Sequence, residues 1–212
     1  MIKFTKLHQS AFMIESEKGI KAIFDIGYLE DEDYISSLSP DICFISHKHK
    51  DHFDPSKMVG INIVVAPIDV VEQMKTEPNI RKFNIRANET FSFGDIVVTA
   101  KPMNHGAVTA YSINFGYYIE VSNRCKFFFM GDSKFPSKLP EQATHLIIPV
   151  GGRKVFDPVE ARDYIISNGF SGTIIPVHTD ASALDNALSN FRDLIGNGVE
   201  NLILDAKETY EF

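Results

Sequence analysis

Six consecutive residues, His47-Lys48-His49-Lys50-Asp51-His52, follow directly on an apolar run, Ile42-Cys43-Phe44-Ile45, closed by Ser46. Four of those six side chains can ligate a metal ion. Random order would give such a string in about one chain of this composition in two thousand. The pairing narrows what the chain can fold into. A short continuous apolar run is the mark of a strand buried on both faces. Asp54-Pro55 then reads as a helix start, an N-cap carboxylate ahead of a proline at the first helical position. The histidines are therefore predicted on a strand-to-helix loop at the end of a rigid sheet, where reactive side chains are commonly presented. The bland alternative is a solvated polar loop, and it leaves the rarity of the string unexplained.

Imidazole and carboxylate are good ligands for zinc and related ions. His47 and His49 are two residues apart, so in extended backbone they face the same way. Asp51 and His52 follow on the turning loop and can face a second position. One loop can thus supply half-shells for two ions. A metal needs about four ligands, so others must come from elsewhere in the chain.

The remainder of the chain reads as a strand-rich α/β protein. Short β-like runs are predicted over 2–7, 11–15 and 20–25, with Glu17-Lys18-Gly19 as a turn. Further strands are predicted over 42–46, 61–66, 96–101, 110–121, 126–130, 145–150 and 173–177. A second helix start stands at Asp157-Pro158, with Glu160 three residues after Asp157 as in a capping box. A third helix is predicted over 183–195, with Leu184, Leu188, Phe191 and Ile195 on one face and Gly196 as its stop. No linker, repeat or low-complexity tract divides the 212 residues, which predicts a single domain over 1–212.

The net charge of -7 argues against a general nucleic-acid binder. No apolar run approaches the roughly 18 residues a membrane helix needs. Cys43 and Cys125 lie in apolar β-like runs and read as buried thiols rather than a disulfide. With no signal-peptide apolar region after Met1, the expected compartment is the cytoplasm.

The six-residue string resembles the H-x-H-x-D-H signature of the metallo-β-lactamase fold superfamily. The resemblance runs over nearly the whole chain. Leu7-His8-Gln9-Ser10-Ala11-Phe12-Met13-Ile14-Glu15 and Phe24-Asp25 look like the first strands of its small stand-alone hydrolases. Pro102-Met103-Asn104-His105-Gly106, Phe129-Met130-Gly131-Asp132-Ser133 and Ile175-Pro176-Val177-His178 fit its later motifs in order. Overall spacing and Pro149-Val150-Gly151-Gly152 look like the subgroup that includes ascorbate-6-phosphate lactonase-like proteins.

The resemblance implies a four-layer αββα sandwich. It implies that His47, His49 and His105 bind one divalent ion, that Asp51, His52 and His178 bind a second, and that Asp132 bridges both. Zinc is the expected metal, with Mn2+ or Fe2+ as alternatives. True β-lactamases of this fold carry Arg where His52 stands and use a Cys ligand; the diiron redox branch has an acidic residue where His49 stands. The implied activity is hydrolysis by a water held between the ions, with Asp51 and Asp132 anchoring it. The expected substrate is a lactone or ester of an anionic small molecule. A phosphodiesterase or nuclease on the same centre is the alternative, and a non-catalytic metal-binding or sensor domain a third reading.

Around this set the residues carry weaker signals. The resemblance places a histidine near His8, where contact with substrate or ligands competes with a structural role. Lys48, Lys50, Lys134, Arg153 and Lys154 flank the motifs as solvated charge or as an anion-binding rim; Lys134 and Arg153 are the candidate substrate contacts. By strand alternation, Lys48 and Lys50 point away from the face that His47 and His49 share. Asp25 is expected to order backbone or ligands, and His145 to be structural. Tyr117 and Tyr118 are expected as exposed positions that could serve a homo-oligomer interface.

Overall fold

The computed structural model describes all residues except 76, 106–112, 135–137, 141, 181–185 and 196–199. Among the described residues the strands form two sheets. The first joins β1 (Lys3–Lys6), β2 (Phe12–Glu15), β3 (Lys21–Phe24), β4 (Ile42–Phe44), β5 (Ile63–Ala66), β6 (Arg81–Asn84) and β13 (Thr209–Glu211) in the order β13-β1-β2-β3-β4-β5-β6. The second joins β7 (Thr90–Phe93), β8 (Ile96–Pro102), β9 (Phe115–Val121), β10 (Cys125–Phe129), β11 (His145–Pro149) and β12 (Thr173–Val177) in the order β12-β11-β10-β9-β8-β7. Helices α1 (Glu32–Leu38) and α2 (Ile68–Gln73) go with the first sheet, α3 (Pro158–Ser167) and α4 (Ala187–Ile195) with the second.

The side-chain period of two explains the layering. In β4, Ile42 and Phe44 point into the core between the sheets, while Cys43 points to a second core with Ile35 of α1 and Val70 of α2. In β10, Phe127 and Phe129 face the first sheet, and Phe128 faces Ala161 and Ile165 of α3 and Phe191 of α4. Such strands are almost continuously apolar, Lys126 of β10 being the exception, because both faces are covered. The result is the αββα sandwich. Phe4, Phe12, Phe24 and Phe44, on β1 to β4, stack in a row with centroid spacings of 5.1, 4.6 and 5.1 Å. Each such pair adds about 0.5–1.5 kcal/mol beyond its burial.

Strand direction creates the functional edge. β3, β4, β5 and β6 run parallel, and β1 runs with them because β2 is antiparallel to both β1 and β3. In the other sheet β10, β11 and β12 are parallel, and β8 runs with them through antiparallel β9. The C-terminal ends within each sheet therefore gather at one edge, the usual place for a site in α/β sheets.

Several expectations change in detail. The helix expected after Asp54 is a single 3-10 turn, Pro55–Lys57, although Asp54 caps it by accepting from Ser56 N at 3.1 Å. Met58 and Ile61 turn into the core under the first sheet, which ends the helical path. The capping box at Asp157 forms as expected. Helix α4 is described from Ala187; Leu184 and Gly196 lie outside the described residues. Residues 110–112 of the expected strand 110–121 also lie outside. Helices α1 and α2 each bury one residue, Ile35 and Val70, so their periodicity is faint. Strands β6, β7 and β13 are partly or fully exposed and carry little apolar signal. Tyr117 and Tyr118 are buried rather than exposed, and Tyr117 donates its hydroxyl to Ile45 O at 2.6 Å, a tie between the sheets. Cys43 and Cys125 are buried and free.

Candidate metal centre

Seven side chains from four loops meet at this edge. The loop after β4 supplies His47, His49, Asp51 and His52. His105 follows β8, Asp132 follows β10 and His178 follows β12. Their ligand atoms fall into two groups, each within 4.8 Å: His47, His49, His105 and Asp132, and Asp51, His52, Asp132 and His178. Asp132 belongs to both. All seven sequence-derived candidates are brought together, in the division that the resemblance implied.

Distances within the cluster are short. His47 Nε2 is 3.0 Å from His49 Nδ1, and His105 Nε2 is 3.2 Å from that same nitrogen. Asp132 lies 3.0 Å from His52 Nε2, 3.3 Å from His105 Nε2 and 3.4 Å from His178 Nε2. His52 Nε2 and Asp132 Oδ1 are buried without hydrogen-bond geometry to any partner.

The outer nitrogens show why the inner ones are available. His105 Nδ1 meets Lys154 O at 3.1 Å. A carbonyl only accepts, so Nδ1 carries the proton and Nε2 turns a lone pair inward. His52 Nδ1 donates to Asp25 Oδ2 at 2.8 Å. Ser46 donates its hydroxyl to Asp25 Oδ2 at 2.6 Å and lies 2.9 Å from His47 Nδ1, from which its oxygen accepts. Asp25, fully buried and also accepting from Ser46 N at 2.7 Å, is thus the hub that sets two imidazoles. Outer partners of this kind orient metal-binding histidines. Asp25 contacts backbone and imidazole as expected, and with His47 and His52 it also forms a third group of possible ligand atoms within 4.8 Å.

The electrostatics point the same way. Burial, joined by the charge on His52, holds His47 well below its ordinary value, so it is neutral. Burial likewise lowers His49 and His105. Burial opposes ionisation of Asp132, but the charges on His52 and His178 overcome it and hold the carboxyl well below its usual range. Burial also works against a charged His178, yet Asp132 and Asp51 raise it to about 9. The cluster therefore sets the inward lone pairs of His47, His49 and His105 beside two ionised carboxylates, which hold protons on His52 and His178 where a cation would otherwise stand. The donor set and the unpartnered buried atoms fit divalent cations.

Two glycines permit the close packing. A Cβ on Gly27 would stand 2.1 Å from Asp51 O, and one on Gly151 would stand 2.2 Å from His178 O and 2.9 Å from its Nδ1.

A cleft of about 290 Å³ opens onto the cluster, lined by His49, Asp51, His105, Asp132 and His178 on one side and Gly152, Arg153 and Lys154 on the other. Arg153 lines it as the sequence reading allowed, on a left-handed backbone with φ 61°. Neither Arg153 nor Lys154 has an acidic side-chain partner among the described residues. Lys134 does not line the cleft: its ammonium sits 2.5 Å from Glu160, at the start of α3. His8 is also outside the lining, with Nδ1 3.6 Å from Asp180. Lys48 turns to Asp69 at 3.3 Å, away from the cluster. His145 stacks on Phe127 at 4.6 Å in the core, a structural role. The residue types gave no signal for Gln9, whose amide reaches Asp51 and His178, or for Ser46.

The Beta-lactamase superfamily domain matches residues 3–178, and the chain belongs to that superfamily. Its architecture is the metallo-β-lactamase fold. Similar solved structures include Igni18, a metallo hydrolase from the archaeon Ignicoccus hospitalis, at 16% identity over 100% of this chain and 99% of that one, with a TM-score of 0.76. An isothiocyanate hydrolase from Delia radicum gut bacteria is 13% identical over 99% of this chain and 98% of that one, TM-score 0.79. CmlA, a diiron β-hydroxylase from Streptomyces venezuelae, is 12% identical over 100% of this chain and 54% of that one, TM-score 0.73. No curated protein sequence matches the chain.

Proposed function

We propose that this protein is a metal-dependent hydrolase with a dinuclear, zinc-type centre that cleaves a lactone or ester bond of an anionic small molecule. The observation that carries the reading is the pair of four-residue groups sharing Asp132. His47, His49, His105 and Asp132 would hold one ion; Asp51, His52, His178 and Asp132 the other. When bound, such ions make water more acidic and polarise a carbonyl or phosphoryl oxygen.

The rest falls to the chain's own residues. Asp51 and Asp132, both ionised, accept hydrogen bonds and orient the attacking water. Asp51 is held well below the ordinary carboxylate value by His178 and His52, against the effect of its burial. The outer nitrogens of His47, His52 and His105 are held by Ser46, Asp25 and Lys154 O, so the three rings are already oriented, and among them only His52 has an inward proton to give up to a cation. Arg153 and Lys154, at the mouth of the cleft with no acidic side-chain partner among the described residues, would take the anionic group of the substrate in a chain of net charge -7. The resemblance to lactonase-like proteins supports a lactone as first choice.

The test is metal analysis followed by assay of the loaded protein on lactones, thioesters and bis-p-nitrophenyl phosphate. Turnover of a lactone or ester, lost in Asp132→Ala, is expected. Cleavage of the phosphodiester alone would transfer the reading to a phosphodiesterase. Full loading without turnover on any substrate, with Asp132→Ala altering only stability, would leave a non-catalytic metal-binding domain.

A further inference from the structure

The hairpin between β1 and β2 carries a glutamine in an unusual setting. Gln9 stands at the hairpin tip, where side chains are normally exposed, yet it is 1% exposed. Its φ is 53°, in the left-handed region that non-glycine residues enter at a cost and that collects at functional sites. Its main chain is clamped to the loop after β12. Gln9 N donates to the Asp180 carboxylate, and Gln9 O accepts from His178 N at 2.8 Å. His178 is itself left-handed, with φ 63°. Two strained residues thus hold each other in place.

This clamp aims the Gln9 amide into the cluster. Nε2 lies 3.2 Å from Asp51 Oδ2 and 3.1 and 3.3 Å from the two ring nitrogens of His178. Asp51 Oδ2 is the oxygen that faces His52 at 3.6 Å and His178 at 3.5 Å. Both residues that the amide touches belong to the group of Asp51, His52, Asp132 and His178.

We propose that Gln9 is a positioning residue that sets the Asp51–His178 half of the centre. The proposal rests on the reading of the cluster as a metal site. An amide suits the task because it donates without carrying charge. A lysine or arginine at the same place would neutralise Asp51 and compete with a cation. Donation to Oδ2 orients the carboxylate and leaves its other lone pairs free. The clamped backbone fixes the amide where a long, unclamped side chain would lose that order.

Stepwise titration of the metal-free protein with Zn2+ or Co2+, against a competing chelator, tests this. The unsubstituted protein is expected to bind two equivalents. Gln9→Met keeps the length and apolar bulk but has no donor, and should weaken one equivalent about 10–100-fold while the other is unchanged. The thermal midpoint of the metal-free variant should stay near that of the parent, which a merely structural role would not allow. Gln9→Asn withdraws the amide by one methylene and should give the same one-sided loss; it carries the test if Gln9→Met does not fold. Equal weakening of both equivalents, or no change in either variant, overturns the role of Gln9 and leaves the hydrolase reading standing. Failure of the unsubstituted protein to bind metal overturns both, and the two failures are told apart in the parent protein.

Discussion

Replacing Asp25 by Asn tests the hydrogen-bond logic of the centre without removing a ligand. Three donors aim at the carboxylate: Ser46 N at 2.7 Å to Oδ1, and Ser46 Oγ at 2.6 Å and His52 Nδ1 at 2.8 Å to Oδ2. Asparagine offers one acceptor and one NH2 group. If its oxygen stays with Ser46 N, the NH2 replaces Oδ2 and now faces Ser46 Oγ and His52 Nδ1 as a donor. His52 must then move its proton to Nε2, into the cluster. Ser46, with its oxygen occupied, turns its hydroxyl proton to His47 Nδ1, and His47 also moves its proton inward. One imidazole in each group loses its inward lone pair. Loss of such outer partners weakens metal binding about 10–100-fold, or about 1.4–2.7 kcal/mol for each ion.

The backbone does not confound the experiment. Asp25 has φ 52°, and asparagine tolerates that region better than most residues. Asp25→Ala would orphan all three donors, and breaking a buried charged pair costs about 3–5 kcal/mol, which mixes unfolding with metal loss. The assay is competitive metal titration of Asp25→Asn, with ring-nitrogen NMR of the metal-free protein, at a pH high enough to remove the charge from His52, to read the tautomers. Weakening of both equivalents with Nε2-protonated His47 and His52 is expected. Unchanged affinity for both equivalents, or Nδ1 still protonated on both rings, would refute the reasoning.

Gly151→Ala should drive a Cβ against His178, destabilise the fold by about 1–3 kcal/mol and weaken metal binding; thermal unfolding and titration read the two effects, and an unperturbed His178 would show that the close approach is dispensable. Burial pushes Glu30 up from 4.5 to about 7, against its hydrogen bond from His8 N and the charge of Lys6. The folded state keeps that proton after the unfolded chain has lost it, so stability should fall as pH rises through this window, by roughly 3 kcal/mol. Glu30→Gln should match the parent at pH 4 and exceed its melting temperature at pH 8; identical profiles would contradict the assignment. Arg153→Ala should raise KM about tenfold, near 1.4 kcal/mol, for substrates with a phosphate or carboxylate and leave kcat within about twofold. Equal effects on a neutral analogue would remove Arg153 from anion recognition.

The sequence alone determined the chemical inventory of the site. His47, His49, Asp51 and His52 are legible because four ligand types crowd into six residues behind an apolar strand. His105, Asp132 and His178 are legible only as motif neighbours, since each alone reads as a turn residue or a buried histidine. The strands covered on both faces are legible for the same reason that they are buried: apolar side chains run through them with few polar interruptions, such as Lys126, His145 and Thr173. Edge strands such as β6 and β13, and the short helices α1 and α2, bury too little to leave a pattern. Tertiary structure decided what depends on distance. It gathered parallel strand ends at one edge, turned Lys48 and Lys134 to Asp69 and Glu160, left Arg153 and Lys154 at the cleft, and brought Gln9 from a hairpin tip to Asp51 and His178. Those outcomes follow from packing between residues far apart in the chain, and local pattern carries no record of such contacts.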